Sequence, residues 1–308
     1  MRQTAPQSSN SLLGGLLIAA LVALCATVAP ATAHAQSRED GAPAESLGVG
    51  DAVRANAWGP SAIYFNPAGL VRVNQLVVEA AYSYLDGKDG HNLGLAVADA
   101  KTNPDVALGV AYNFFTTAPG GRDRDGNQVR IALATGYRSD DMALYAGVGT
   151  RWLSLVLGKD DTDEGVTETD DIDTWTADIG LLLELDRRIR FAVVGQNLID
   201  TKTAEAPRLL GLGLSFAFDV LDISANLDLD LSDGAERVVS TWGFGADFGV
   251  LDSLHLRAGF VRDEPLDAER LTFGLGWSAE TFAVDVGYAT ALADPTAMTV
   301  AVTFRWVP

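Results

Sequence analysis

The groups in this chain equipped to do chemistry are charged side chains that recur inside otherwise apolar segments. Glu79, Arg130, Arg151, Asp178, Glu184, Arg190, Asp228, Asp230, Asp247, Arg257, Asp285 and Arg305 alternate with large aliphatic or aromatic neighbours. Both signs are present, so such a set can pair internally or line a route for a ligand. Constellations for catalysis do not emerge. His91 and His255 are far apart, and no serine motif accompanies His255 as a hydrolase would require. No Cys/His cluster fits zinc, and there is no phosphate loop or dinucleotide fingerprint. Asp160, Asp161, Asp163, Glu164, Glu168, Asp170, Asp171 and Asp173 form one acidic run. Oxygen ligands suit calcium, but the spacing departs from the EF-hand order, and a solvated loop is the preferred reading. The expectation is a protein that is not an enzyme and carries no cofactor or metal.

The elements that hold the charged residues are β-strands. At the C-terminus Met298, Val300, Val302, Phe304 and Trp306 interleave with Thr299, Ala301, Thr303 and Arg305. Phe282, Val284, Val286 and Tyr288 alternate in the same way with Ala283, Asp285, Gly287 and Ala289. Successive side chains of a strand point to opposite faces, so each segment has one apolar face and one polar or small one. About fourteen such segments follow one another, near 75–85, 91–99, 105–116, 127–138, 142–157, 173–185, 189–199, 207–218, 222–231, 236–249, 253–262, 270–279, 281–290 and 296–306. Most reach the roughly 9–11 residues that a tilted strand needs to cross a bilayer core. Short connections such as Ser139 to Asp141 alternate with longer polar ones such as Gly158 to Ile172. Outer-membrane barrels show this rhythm, with an even number of antiparallel strands. Lipid does not tolerate open sheet edges, so the sheet must close. The apolar face is the outer one, because a lipid-facing Arg at mid-bilayer costs about 2–4 kcal/mol. The charged residues therefore point inward. The fold expected is an all-β, antiparallel transmembrane barrel over 74–308.

Composition agrees with export. Arg2, the apolar run from Leu12 to Ala29 and the small-x-small step Ala33-His34-Ala35 read as a cleaved signal peptide over 1–35. Cys25, the single cysteine, falls inside that leader, so no disulfide framework supports the fold. Forty-one Asp and Glu against 22 Lys and Arg give a net charge of −19, which argues against a nucleic-acid partner.

Residues 36–73 are rich in Ala, Gly, Ser and Pro, yet Trp58, Ile63, Tyr64, Phe65 and Leu70 are too apolar for a solvated tail. They read as a compact, mostly irregular segment packed against something larger. Inward strand positions supply the room: Gly94, Gly109, Gly211, Gly213, Gly243, Gly245, Gly274, Gly276 and Gly287. Glycine weakens a strand unless something approaches its backbone closely, so the lumen is expected to be occupied by this segment or to line a narrow apolar cavity.

The stretch Gly59 to Leu70, GPSAIYFNPAGL, resembles the N-terminal segment of the FadL-type fatty-acid transporters and their PorV-like relatives. Asn66, Pro67 and Ala68 match the Asn-Pro-Ala element, and Gly69 and Leu70 continue it. Locally, Pro67 and Gly69 make a turn that Asn66 caps. Phe191 to Leu198, followed by Pro207 and a Gly-alternating strand, is similar to a stretch of PorV-like members. The resemblance implies a fourteen-stranded barrel closed by an N-terminal hatch and passive uptake of small hydrophobic, fatty-acid-like molecules across a Gram-negative outer membrane. It also implies surrounding outer-membrane lipids, insertion by the barrel-assembly machinery, and sideways exit of ligand through a kinked strand, for which Pro104 and Gly109 are the candidates. The alternative, from the PorV-like side, is a partner of a secretion or surface-assembly machinery. A continuous apolar cavity favours transport; a lumen filled by 36–73 favours the partner role. The chain is shorter than typical transporters, and it ends Trp306-Val307-Pro308 in place of the usual terminal aromatic.

Overall fold

A computed structural model describes residues 42–86, 90–103, 105–117, 124–157, 171–201, 203, 206–232, 238–295 and 297–308. The expected leader, Pro104 and most of the acidic run (Asp160 to Asp170) lie outside the described residues.

Fourteen strands form a closed antiparallel barrel. They are β1 (Leu76–Leu85), β2 (Gly90–Asp99), β3 (Val106–Thr117), β4 (Arg124–Arg138), β5 (Met142–Leu157), β6 (Ile172–Leu185) and β7 (Ile189–Gln196). The second half comprises β8 (Leu209–Ala217), β9 (Leu221–Asp230), β10 (Val239–Leu251), β11 (Leu254–Asp263), β12 (Ala268–Ser278), β13 (Phe282–Ala291) and β14 (Met298–Trp306). Each strand pairs with its sequence neighbours, and β1 closes the ring on β14 with Glu79 opposite Arg305. The boundaries fall close to those read from alternation. The largest differences are at β4, which starts three residues earlier, at β7, which stops three residues earlier, and at β10, which starts three residues later. The cause at β7 is Asn197, whose φ of 53° turns the chain out of the ladder.

Alternation sets the two faces. On β2, Leu93, Leu95 and Val97 are exposed while Asn92, Ala96 and Ala98 are buried. Large apolar side chains are exposed around the whole wall. In water that surface would be an aggregation liability; around a closed barrel it is the lipid-facing band. Exposed aromatics gather at both rims: Phe248, Trp277, Phe304 and Trp306 near the short turns, and Tyr82, Tyr112, Phe114 and Trp175 near the long loops. This is the girdle arrangement of membrane barrels, in which amphipathic rings sit at headgroup level.

Ahead of β1 the chain forms α1 (Ala44–Gly48), α2 (Gly59–Phe65) and a 3-10 helix (Pro67–Arg72). The expected irregular segment is thus built of short helical turns. Hydrophobic period cannot reveal helices this brief, and each is stabilised by its ends and its burial. Pro60 lies in the first turn of α2, and Ser61 Oγ both accepts from Trp58 N and donates to Trp58 O, at 3.2 and 2.8 Å. Asn66 caps the 3-10 helix by accepting from Ala68 N at 3.1 Å. Ile63, Phe65, Ala68, Leu70 and Val71 join Ala98, Ala107, Ala134 and Leu182 of the wall in one apolar cluster.

The barrel interior as candidate functional site

The inward glycines show how the inner segment is seated. A side chain at Gly109 would run into Ile63 Cγ1 and Leu70 Cδ2, at 2.7 and 2.8 Å. Gly147 lies against the Pro67 backbone, Gly180 against Asn66 Oδ1, and Gly211 against the Arg54 side chain. On the far wall Gly243 and Gly245 face the carbonyls of Gly50 and Val49, and Gly274 lies against Gly48. At mid-height the segment therefore touches strands from both halves of the ring, and the missing Cβ atoms are the space it occupies.

Asn66 is wholly buried and, besides its cap, donates Nδ2 to Arg54 O at 3.0 Å and to Leu181 O at 3.4 Å. The Asn-Pro-Ala element thereby joins an inner helix, the preceding loop and β6. Gly69 fits under the Ala57 backbone, and Leu70 is fully buried.

The inward charges fall into four groups. Glu79 of β1, Asp285 of β13 and Glu45 of α1 surround Arg305, at 3.2, 3.6 and 2.5 Å. Arg305 also lies 4.8 Å over the ring of Trp58, so one wall residue holds two points of the segment. Arg257 continues the chain to Asp285 at 2.6 Å and Asp247 at 2.8 Å, and His255 Nδ1 is 2.8 Å from Asp247. Arg190 binds Glu184 at 2.8 Å and Asn56 Oδ1 at 2.7 Å, while Arg72 reaches Glu184 at 3.4 Å. Arg130 and Arg151 are directly opposed in the β4–β5 ladder, with Asp178 3.9 Å from Arg130 and the Tyr64 ring beneath it.

The fourth group centres on a residue that alternation alone does not reveal. Arg54 is completely buried and binds Asp228 at 2.5 Å, Gln196 Oε1 at 2.7 Å and Phe65 O at 2.8 Å. Glu45, Trp58 and Arg72 are likewise segment residues outside the strand pattern. The signal for Arg54 is a lone cation in an Ala/Gly-rich stretch that precedes a wall with acidic inward positions. Burial, and next the Arg190 charge, pull the Arg72 guanidinium down to about 10.

The wall at Gly109 is closed, which departs from the expected opening. Gly109 pairs with Ala98 on one side and Ala132 on the other, and β3 is in register along its length. Its small size serves contact with Ile63 and Leu70 instead of a kink. The backbone ladder is incomplete between β6 and β7. There pairing ends at Ile179 and Gly195, although β6 extends seven residues further to Ile172. Beyond Gln196 the chain is tied to β6 by Asn197 N to Asp178 Oδ1 and Leu198 N to Ala177 O, both 2.8 Å, and by Thr176 Oγ1 to Ile199 O at 3.0 Å. Inside this seam a second apolar cluster joins Phe115, Leu153, Leu155 and Ala206, with Ile172 against it.

Among the described residues no group of His, Cys, Asp or Glu is arranged to hold a metal ion. Asp173, from the acidic run, accepts a hydrogen bond from Trp152 Nε1 at 2.7 Å. His91 is at the outer rim, 2.8 Å from Tyr82 Oη.

No protein-family model matches the sequence, and no curated protein matches it. Solved structures do. A Pseudomonas aeruginosa FadL homologue superposes with a TM-score of 0.57 at 13% identity, covering 89% of this chain and 99% of that one. The Ralstonia pickettii toluene transporter TbuX gives 0.55 at 14% identity, over 85% of this chain and 98% of that one. This chain has the fold of the FadL-type barrel. The monoaromatic hydrocarbon channel TodX, as its deltaS2S3 mutant, gives 0.54 at 12% identity, over 86% of this chain and 97% of that one. At these identities the likeness to the FadL-type barrel concerns the path of the backbone, and the side chains described above are this chain's own.

Proposed function

We propose that this protein is an outer-membrane channel for passive uptake of small hydrophobic molecules, with residues 36–73 as its plug. The observation that carries the reading is the end of the β6–β7 ladder at Ile179, beyond which three hydrogen bonds between residues 176–178 and 197–199 replace strand pairing, with the apolar cluster of Phe115, Leu153, Leu155 and Ala206 inside. A few hydrogen bonds in place of a strand ladder, with apolar side chains packed behind them, mark where a sideways route between lumen and bilayer can open. The plug shuts the axial route at mid-height, so an apolar ligand has reason to use the seam. Among similar folds, TbuX is described as a toluene transporter and TodX as a monoaromatic hydrocarbon channel. A monoaromatic or fatty-acid-like compound is the ligand class in view. The inward charges serve mainly to seat the plug.

The test is uptake of labelled toluene and oleate by cells that lack their own hydrophobic-compound channels and express this chain. A disulfide between Ala177→Cys and Leu198→Cys, which are hydrogen-bond neighbours across the seam, should block uptake, and a reducing agent should restore it. Uptake that ignores the crosslink sinks the reading.

A second reading is favoured by two observations. The segment packs against strands of both halves of the wall, and the β8–β9 turn and the end of β10, joined by Gly249 N to Val220 O at 2.9 Å, expose Phe218, Val220, Val250 and Leu251. In that reading the barrel is an outer-membrane partner of a secretion or surface-assembly machinery. Native mass spectrometry in mild detergent separates the two: a retained lipophile supports the channel, a stoichiometric protein without lipophile supports the partner.

A further inference from the structure

A cavity of about 450 Å³ lies at the short-turn end of the barrel, with Ser278, Ala279 and Glu280 of the β12–β13 turn at its mouth. Small-molecule sites are of this size, roughly 300–1,000 Å³. The inner segment contributes buried Val49 and Val53 and half-buried Trp58 to the lining. The guanidiniums on the walls are already paired. Arg257 binds Asp247 and Asp285 at 2.8 and 2.6 Å, and Arg305 binds Glu45 and Glu79 at 2.5 and 3.2 Å. Arg72 reaches Glu184 at 3.4 Å.

Asp222, near the start of β9, is placed differently. Among the described residues its carboxylate takes part in no hydrogen bond and no ion pair. Arg190 and Arg72 act on it through space, but both are bound to Glu184. Its ladder neighbour Asp247 is held by Arg257 and His255. Two residues along the strand, and so on the same inward face, Ser224 is only 6% exposed. Its hydroxyl has no hydrogen-bond partner among the described residues. Both side chains line the cavity. A hydroxyl shielded from bulk water without a protein partner costs free energy, and a ligand in the cavity can supply that partner. Apolar groups stand beside the pair. Gly245, opposite Ser224 in the ladder, would place a Cβ 2.7 Å from Val49 Cβ. Arg54 N, next to Val53, donates to Asn226 Oδ1 at 3.3 Å, two residues beyond Ser224.

We propose that this cavity binds a small primary ammonium ion with an apolar body, of the alkylammonium or arylalkylammonium class. The ammonium has three N–H groups to donate, and the Asp222 carboxylate and the Ser224 hydroxyl oxygen accept two of them. Hydrogen bonds between ionised partners are about twice as strong as neutral ones. The apolar body lies against Val49, Val53 and Trp58. An anion would meet guanidiniums that carboxylates already occupy, with Asp222 opposing it. Among the described residues no group of ligands suits a metal ion. The site is separate from the β6–β7 seam, which lies toward the long loops, and does not depend on it.

The experiment is equilibrium dialysis of 2-phenylethylammonium chloride, at neutral pH, against the purified full chain in detergent, with protein-free micelles as the reference. The expected result is saturable binding above that reference. Asp222→Asn should weaken it about tenfold, as the loss of a charge-assisted hydrogen bond does, and Ser224→Ala severalfold. 2-Phenylethanol, which has the shape without the charge, should not compete. Neither should the N,N,N-trimethyl analogue, which has the charge and no N–H to donate. Resistance of each variant to unfolding in cold dodecyl sulfate checks that the barrel is intact. The crosslink between Ala177→Cys and Leu198→Cys should leave binding unchanged, so the site and the seam can fail separately. Absence of saturable binding, affinity unmoved in both variants, or equal competition by 2-phenylethanol would overturn the proposal.

Discussion

Arg54 of the inner segment and Asp228 of β9 form an ion pair at 2.5 Å with the guanidinium wholly out of solvent. Burying charge is expensive, and removing one partner strands the other. A buried pair broken from one side costs about 3–5 kcal/mol, whereas replacing both partners by apolar residues of similar volume is close to neutral. Arg54→Ala and Asp228→Ala should each lower the unfolding midpoint in detergent and open residues 42–72 to protease. The double variant Arg54→Met with Asp228→Leu should recover most of the loss. If the single variants behave like wild type, Arg54 does not latch the segment.

Asn66 serves three neighbours at once: the Ala68 amide, the Arg54 carbonyl and the Leu181 carbonyl. Asn66→Ala removes a cap of about 1 kcal/mol and leaves buried backbone groups without a partner, at about 1–3 kcal/mol more. Asn66→Asp should keep the cap but lose the two donated bonds. Thermal unfolding should therefore rank wild type above Asn66→Asp, and both above Asn66→Ala. Equal midpoints for all three would show that the motif's amide is idle in the folded state.

Much of the barrel was legible in the sequence because strand alternation is a local signal. Phe304 and Trp306 against Thr303 and Arg305 declare their faces without any knowledge of their neighbours, and the wall boundaries followed. The inner segment was legible only as an occupant. Gly243, Gly245 and Gly274 marked a close approach, but their partners Gly50, Val49 and Gly48 depend on contacts some two hundred residues apart. Short helices such as Gly59–Phe65 complete too few turns for a hydrophobic period to register. The seam escaped for a different reason. Residues 197–199 continue the apolar pattern of β7, and only the left-handed Asn197 removes them from the ladder. Gly109 pointed the wrong way because a strand glycine signals either a bend or a packed neighbour, and here it is the neighbour.

The glycine patch can be tested with a contrast built into one strand pair. At Gly259 a new Cβ meets the Val49 backbone at 2.5 Å and Thr272 Oγ1 at 2.6 Å, and backbone cannot swing away. At Gly249 the nearest atoms are Val220 O at 3.8 Å and His255 Cε1 at 3.9 Å, which is ordinary contact. Gly259→Ala should therefore cost about 1–3 kcal/mol as an overpacked site and expose the Gly48–Asp51 turn to hydrogen exchange. Gly249→Ala should be tolerated. Equal exchange in the two variants would mean that the turn does not rest on the wall.

Acid should loosen the first helix of the segment, and the sign follows from Glu45. Burial alone would raise its carboxyl, but Arg305 and then Arg257 outweigh burial and hold it below the ordinary value of 4.5. A carboxyl whose folded pKa is depressed contributes stability that is fully present above its unfolded pKa. That stability is lost as pH falls through the folded value. Protection of residues 44–48 from exchange should accordingly be flat from neutrality down to the ordinary carboxylate range and fall below it. Glu45→Gln should start with weaker protection at neutral pH and lose less of it on acidification, because the Arg305 contact at 2.5 Å no longer carries a titrating charge. The other groups facing Arg305 and Arg257 (Glu79, Asp285 and Asp247, with His255 beside the last) are the same in both proteins, so only the difference between the two curves belongs to Glu45. Superimposable curves would place the acid response in the wall and leave the helix held by its apolar contacts and the Thr303 hydroxyl, which accepts from Ala44 N at 2.8 Å.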